Sequence, residues 1–256
     1  MIVVEHLSKR FYDLRRGQVT AVNDISFRCE RGEVVGLLGP NGAGKTTTLR
    51  VLATILKPTS GLAAIDGFRV DQAPEQARRR IGYMSASTQL YDRMTAWELV
   101  SFFGSLYDLE GETLAQRMNA VFEWLDMNDF RDVLVAKMST GMKQKVSIAR
   151  AVIHDPPVLI LDEPTSNLDI LVARALVNRI EELADQGKTV LLSSHTMGVI
   201  ERLCTQVIIL YKGVIQEAGP LEELKTRHEA SSLENLFFDL IDRADALERS
   251  LANTPT

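Results

Sequence analysis

Cysteine is nearly absent: Cys29 and Cys204 are the two thiols in 256 residues. They form neither a disulfide framework nor a metal-ligand cluster, which fits a reducing compartment. Positive charge is also in short supply. Lysine and arginine number 29 against 34 acids, a net charge of −5, whereas grip on a phosphate backbone needs clustered cations. The most basic run, Arg78-Arg79-Arg80, reads as a solvated helix face, so nucleic acid is not an expected partner. No apolar run approaches the ~20 residues that span a bilayer. The opening Met1-Ile2-Val3-Val4-Glu5 lacks the regions of a signal peptide. Repeats and low-complexity stretches are missing too. These absences predict a cytoplasmic protein that reaches a membrane only through another chain.

What is present is ample apolar material for a core, 45% of the residues, and one stretch around which the rest is organised. Val34-Val35-Gly36-Leu37-Leu38 reads as a buried strand. It turns through Gly39-Pro40-Asn41-Gly42-Ala43-Gly44-Lys45-Thr46-Thr47 into a helix that runs to Leu56. This is G-x-x-x-x-G-K-[ST] between a strand and a helix, the setting that gives the pattern its meaning. The glycines let the backbone curl into a nest of N–H groups, and the helix N-terminus adds partial positive charge. Lys45 can reach the outer phosphates of a nucleoside triphosphate, and the Thr46 hydroxyl can ligate magnesium.

Before this loop, residues 2–7 and 19–28 read as antiparallel strands about a turn at Arg15-Arg16-Gly17. Phe11 and Tyr12 sit there, either packing at an edge or stacking on a purine base. After the loop, a strand over 62–67, a short polar helix and a strand over 80–84 continue an α/β alternation. Between about 87 and 152 the strand signals vanish. Thr95 is placed to cap a helix carrying Leu99, Phe102, Phe103, Leu106 and Tyr107. Leu114, Met118, Val121, Phe122 and Leu125 repeat the spacing on a second helix. This predicts a helical subdomain inserted into the α/β domain.

Val158-Leu159-Ile160-Leu161 reads as a strand buried on both faces, and it ends in Asp162-Glu163. An open sheet presents its ligand site at the carboxyl ends of such strands. Asp162 is placed there to hold magnesium through water opposite Thr46, and Glu163 to polarise the water that attacks the γ-phosphate. A helix over 169–184 and a buried strand over 189–193 lead to His195 at the same edge. That histidine is either structural or in contact with the γ-phosphate or the water. A hairpin over 206–217 turns at Lys212-Gly213, and residues 220–229 read as a short charged helix. From Ser232 onward Leu233, Leu236, Phe237, Leu240, Ile241, Ala244 and Leu247 form one helical stripe. It is expected to dock on the domain or on a second copy.

Met138-Ser139-Thr140-Gly141-Met142-Lys143-Gln144-Lys145, taken with these stretches, resembles the signature of ATP-binding cassette (ABC) ATPases. The order is also that family's: phosphate loop, helical insertion, signature, carboxylate strand with Glu163, Ser166-Asn167-Leu168-Asp169 as the D-loop, then His195. The resemblance covers residues 1–225, with 226–256 as an appended amphipathic helix and tail. It implies a P-loop ATPase core with a mixed sheet, an antiparallel N-terminal β subdomain and the inserted helical subdomain. It further implies ATP and Mg2+ as ligands, with Glu163 and His195 catalytic and Phe11 on the base. A homodimer or heterodimer would follow, in which Ser139, Thr140, Gly141 and Met142 of one subunit meet ATP held by the other. The implied work is on an integral membrane permease encoded as a separate chain, with this subunit peripheral on the inner face of the membrane.

Two departures stand out. The signature reads M-S-T-G-M where L-S-G-G-Q is common. The Q-loop glutamine would fall at Ala86, which cannot ligate magnesium, and Gln89 is the substitute three residues on. The S-T-G-M-K-Q-K wording, S-T-Q-L-Y-D-R-M-T and H-D-P-P resemble ATPases of ABC-2-type exporters, among them sodium exporters. The competing expectations are a soluble cassette acting on ribosomes or DNA, and a regulatory subunit that binds ATP with little turnover.

Overall fold

The computed structural model describes residues 1–14, 17–85 and 89–252. The expected turn residues Arg15 and Arg16, and the Q-loop position Ala86, lie outside these. Strands β1 (Ile2–Asp13) and β2 (Gly17–Cys29) pair antiparallel from Ile2–Cys29 to Asp13–Gly17. They run longer than the sequence pattern suggests, because irregularities break the alternation that marks a strand. His6 and Asp24 adopt left-handed φ of 51° and 53°, and the register shifts between Val4 and Leu7 and again beside Lys9. Bulges of this kind re-aim a strand without ending it. Here the freed N–H groups of His6 and Asp24 donate to Ser26 Oγ and Ser8 Oγ.

Strand β3 (Val34–Leu38) feeds helix α1 (Lys45–Leu52). Next come β4 (Ser60–Ile65), β5 (Phe68–Arg69), α2 (Pro74–Arg79) and β6 (Ile81–Ser85). The insertion holds α3 (Ala96–Ser105), α4 (Gly111–Trp124) and α5 (Thr140–Val152). The chain then alternates through β7 (Val158–Asp162), α6 (Ile170–Asp185), β8 (Thr189–Ser193) and α7 (Met197–Leu203). It closes with the hairpin β9 (Gln206–Tyr211) and β10 (Val214–Pro220), then α8 (Leu221–Arg227) and α9 (Leu233–Ala252).

Two sheets result. One is antiparallel in the order β2-β1-β4-β5; the other runs β10-β9-β3-β8-β7-β6, parallel except for its edge strand β10. Every residue of β3, β7 and β8 is buried, so these strands read as unbroken apolar runs. Alternate residues serve different cores. Val158, Ile160, Leu191 and Ile208 face α1 and the antiparallel sheet, whereas Leu159, Leu161, Val190 and Ile209 face the helical insertion, α6 and α7. Each such fully buried side chain contributes about 2 kcal/mol. The mixed α/β architecture is the one expected.

Thr95 caps α3 in full: its hydroxyl accepts from Glu98 N–H while the Glu98 carboxylate accepts from Thr95 N–H. The expected stripe on that helix is shorter than the spacing suggests. Leu99 is buried, but Phe102 and Leu106 are exposed, and Leu106 and Tyr107 lie beyond the last helical residue. The Gly104 carbonyl accepts from both Tyr107 and Leu109 N–H, and Asp108 turns left-handed at φ 62°. Tyr107 therefore leaves the helix and stacks on the His154 ring, centroids 3.6 Å apart. On α9, Leu233, Leu236, Phe237 and Leu240 dock on the domain, while Leu247 is exposed.

Candidate functional site

The phosphate loop leaves β3 against a wall made by the end of β9. A Cβ on Gly39 would lie 2.2 Å from the Leu210 carbonyl oxygen, so no side chain fits there. Gly44, the N-cap of α1, takes φ 106°, and a Cβ on it would sit 2.5 Å from the Ala21 carbonyl. Both positions need glycine for space, and Gly44 for conformation as well. The loop encloses an open concavity of about 270 Å³ lined by Ala21 and by Pro40 through Thr47. Lys45 folds back over it. Its Nζ donates to the Gly39 carbonyl at 2.6 Å and to the Pro40 carbonyl at 3.2 Å. Burial pulls the lysine pKa below its ordinary value, and the Glu163 and Asp162 carboxylates oppose that shift.

The parallel pairing of β7 with β8 sets Asp162 beside Ser193. Asp162 is buried, and its Oδ1 accepts from Ser193 Oγ at 2.7 Å and lies 3.5 Å from Thr46 Oγ1. Glu163, one residue on, takes a left-handed φ of 54°. Its N–H donates to the Ser193 carbonyl and to Ser193 Oγ, each at 3.1 Å. A non-glycine residue in that region costs about 1–2 kcal/mol, and the turn aims the carboxylate at His195. Glu163 Oε2 accepts from His195 Nδ1 at 2.8 Å and from His195 N–H at 3.3 Å. The sequence places the two at one sheet edge, and the structure puts them in contact.

Thr46 and Asp162 fit a hard cation. Among the described residues no group of three or more His, Cys, Asp or Glu side chains could hold a metal by itself. A hydroxyl and a carboxylate beside a phosphate cradle instead suit magnesium, which keeps most of its ligands as water and substrate phosphate. Gln89 is exposed on the segment after the undescribed residues 86–88. Phe11 is half-exposed on β1, pairs with Val19 two residues before Ala21, and has Lys9 Nζ 4.9 Å from its ring centroid; Tyr12 is fully open to solvent.

The signature segment opens α5. Ser139 is its N-cap, and its hydroxyl accepts from Met142 N–H at 3.3 Å. Asp169 caps α6 in the same way, accepting from Leu171 and Val172 N–H at 3.0 Å. Ser139, Thr140, Gly141, Met142, Asn167, Leu168 and Asp169 line one concavity of about 390 Å³, separate from that of the phosphate loop. Ser166 lies just before it, its Oγ accepting from Asn167 Nδ2 at 3.2 Å.

Two residues escape sequence reasoning. Ser193 joins Asp162 to the Glu163 backbone, and its signal was a hydroxyl closing an apolar strand in register with the carboxylate strand. Gln144, on α5, donates from Nε2 to the Pro164 carbonyl just after Glu163, tying the signature helix to the carboxylate turn. Nothing in its local pattern distinguishes it from a helix surface residue. Among the described residues no helix is long and apolar enough to cross a membrane.

The family described as ABC transporter matches residues 22–166. The chain is 41% identical over 244 residues to the ABC transporter ATP-binding protein NatA of Bacillus subtilis, covering 95% of this chain and 99% of that one. It is 36% identical over 229 residues to the Nod factor export ATP-binding protein I of Ralstonia nicotianae, covering 90% of this chain and 70% of the other. Among solved structures, a dimeric post-hydrolysis state of an ATP-binding cassette bound to ADP and Pi superposes with a TM-score of 0.79. That pair shares 26% identity over 86% of this chain and 99% of the other.

Proposed function

The chain belongs to the ABC transporter family as an ATP-binding, ATP-hydrolysing subunit, and we propose that it drives export through a separately encoded membrane permease. The contact that carries the catalytic part of this reading is Glu163 Oε2 to His195 Nδ1 at 2.8 Å, beside a phosphate loop whose lysine is already turned inward. Glu163 is the general base. It accepts a proton from a water as that water's oxygen bonds to the γ-phosphorus, and the bond to the β–γ bridging oxygen breaks to leave ADP and phosphate. His195, holding its Nδ1 proton toward Glu163, fixes the carboxylate. Lys45 exchanges two neutral carbonyls for anionic phosphate oxygens, a stronger charge-assisted pairing. Thr46 and Asp162 would hold magnesium, which when bound would supply charge neutralisation on the outer phosphates. Phe11 stacks on the adenine, and Gln89 stands in for the Q-loop glutamine.

The signature concavity supports a head-to-tail dimer. Two helix N-termini, those of α5 and α6, meet there beside the exposed Ser139 and Thr140 hydroxyls, with Lys145 on the lining, a setting that suits an anion. A second subunit's phosphate loop supplies the anion, so that Ser139 to Met142 close over ATP and the D-loop residues Ser166 to Asp169 line the seam. Closure on ATP and release after hydrolysis give the two states that move a permease on the inner face of the membrane. The name of one relative, the Nod factor export ATP-binding protein I, supports export, and sodium is the first cargo to test.

The deciding experiment is capture of tagged Glu163→Gln protein from detergent-solubilised membranes with ATP and magnesium, followed by mass spectrometry. Recovery of a polytopic membrane protein is the expected result. Ribosomal or DNA-bound partners without a permease would overturn it.

A further inference from the structure

The phosphate loop is held from behind by the hairpin of β9 and β10. Lys212 and Gly213, with φ of 46° and 81°, form the two-residue turn between β9 and β10. Gly213 N–H donates to the Ala43 carbonyl of the loop at 2.9 Å, and the Gly213 carbonyl accepts from Asn23 N–H of β2 at 2.8 Å. The turn is thus wedged between loop and sheet, where a Cβ on Gly213 would meet the Ala21 carbonyl oxygen at 3.0 Å. Because the peptide unit is planar and trans, fixing the Ala43 carbonyl toward the hairpin fixes the Gly44 N–H in the opposite direction. That N–H is one of the donors of the nest.

The turn is itself gripped from outside by the last helix. Asp245 Oδ1 accepts from the Tyr211 hydroxyl at 2.7 Å and from Lys212 Nζ at 2.9 Å. These bonds, Lys212 first, hold the Asp245 carboxyl below its usual pKa range. The helix that carries Asp245 has a fixed seat. Leu233, Leu236, Phe237 and Leu240 are buried, and the Glu201 carboxylate accepts from Leu233 N–H at 3.0 Å. Asp245 lies one turn beyond Leu240 and Ile241, on the part of α9 that has left the core.

We infer that Asp245 is a positioning residue for the ATP site: it fixes the Tyr211–Lys212–Gly213 turn, which orients the phosphate loop through Ala43. The C-terminal helix thereby sets nucleotide affinity from a position that touches no nucleotide. This rests on the phosphate loop being the triphosphate site.

The test uses the full chain, fluorescent ATP for Kd, steady-state hydrolysis for kcat and KM, and melting temperature. Asp245→Ala should raise Kd and KM for ATP by about fivefold, the loss of roughly one hydrogen bond's orientation, while kcat and melting temperature hold. Asp245→Asn keeps an acceptor for Tyr211 and should fall between wild type and Asp245→Ala. Tyr211→Phe should move Kd in the same direction, and adding Asp245→Ala to it should give less than the sum of the two effects. A wild-type Kd in Asp245→Ala, or strictly additive effects in the double variant, overturns the inference. Should Asp245→Ala fail to fold, Tyr211→Phe decides alone, since it removes a single hydroxyl. Lys45→Ala separates the two layers. If it binds ATP normally, the reading of the site has failed; if it loses ATP while Asp245→Ala is normal, only the positioning role has.

Discussion

The phosphate loop and the signature segment each open a helix beside a concavity, and the chain treats the two differently. Around the loop, side chains from distant parts of the sequence converge. Thr46, Asp162, Ser193, Glu163 and His195 form one hydrogen-bonded set, with Thr46 and Asp162 separated by 116 positions. At the signature's exposed end the capping hydrogen bonds are local: Ser139 accepts from its own helix three residues on, and Asp169 does the same on α6. Ser139 and Thr140 are exposed. The first half is assembled by the fold of one subunit. The second is an end left open, which is what a contact made by another subunit requires.

The comparison breaks most visibly at Glu163. Glu163→Gln should lower kcat by about 10³-fold while ATP still binds, checked by phosphate release beside nucleotide titration. Unchanged turnover would remove the base from the first half. Lys45→Ala should come next, weakening ATP affinity by about 10²-fold, because the anion then loses its one inward-turned ammonium. Ser139→Ala sharpens the contrast. It should leave ATP affinity of the dilute protein unchanged, cut turnover by about tenfold at concentrations where dimers form, and cost about 1 kcal/mol of stability through the lost cap. Equal loss at all concentrations would show the serine acting within its own subunit.

A separate effect, on stability and not on turnover, lies under the helical insertion. His154 Nε2 donates to the Ile81 carbonyl at 3.0 Å, and its buried Nδ1 has no hydrogen-bond partner among the described residues. Burial lowers its pKa to about 4 from the ordinary 6.5. Between those values the unfolded chain binds a proton that the folded one does not, so stability rises with pH there. It should fall by at most about 3 kcal/mol as pH drops from 6.5 to 4, read by denaturant unfolding across that range. A flat profile would show that His154 accepts its proton without opening the insertion.

Much of the first half is legible in sequence because its parts are covalently local. A strand, a glycine loop and a helix must follow one another, and β7 announces itself by five buried positions ending in acid. The Thr95 cap is legible for the same reason. What escapes depends on pairing. Nothing near Ser193 says that it will lie beside Asp162 until β7 and β8 are in register. The length of β1 and β2 is hidden by bulges at His6 and Asp24, and the end of α3 by a tyrosine that prefers an imidazole face to its own helix. The turn at Lys212-Gly213 is readable as a turn, but not as the prop beneath Ala43.

Glu163 also bears on how the protein can change over generations. Its backbone sits in a conformation that glycine or asparagine adopts more readily, so replacing the proposed base by either would relax the local chain. Beyond its two contacts with His195 the fold gives little reason to keep a carboxylate here, and on the proposed mechanism selection for turnover supplies the rest. A lineage released from that selection would keep the architecture, keep binding nucleotide, and fall silent at this one residue first.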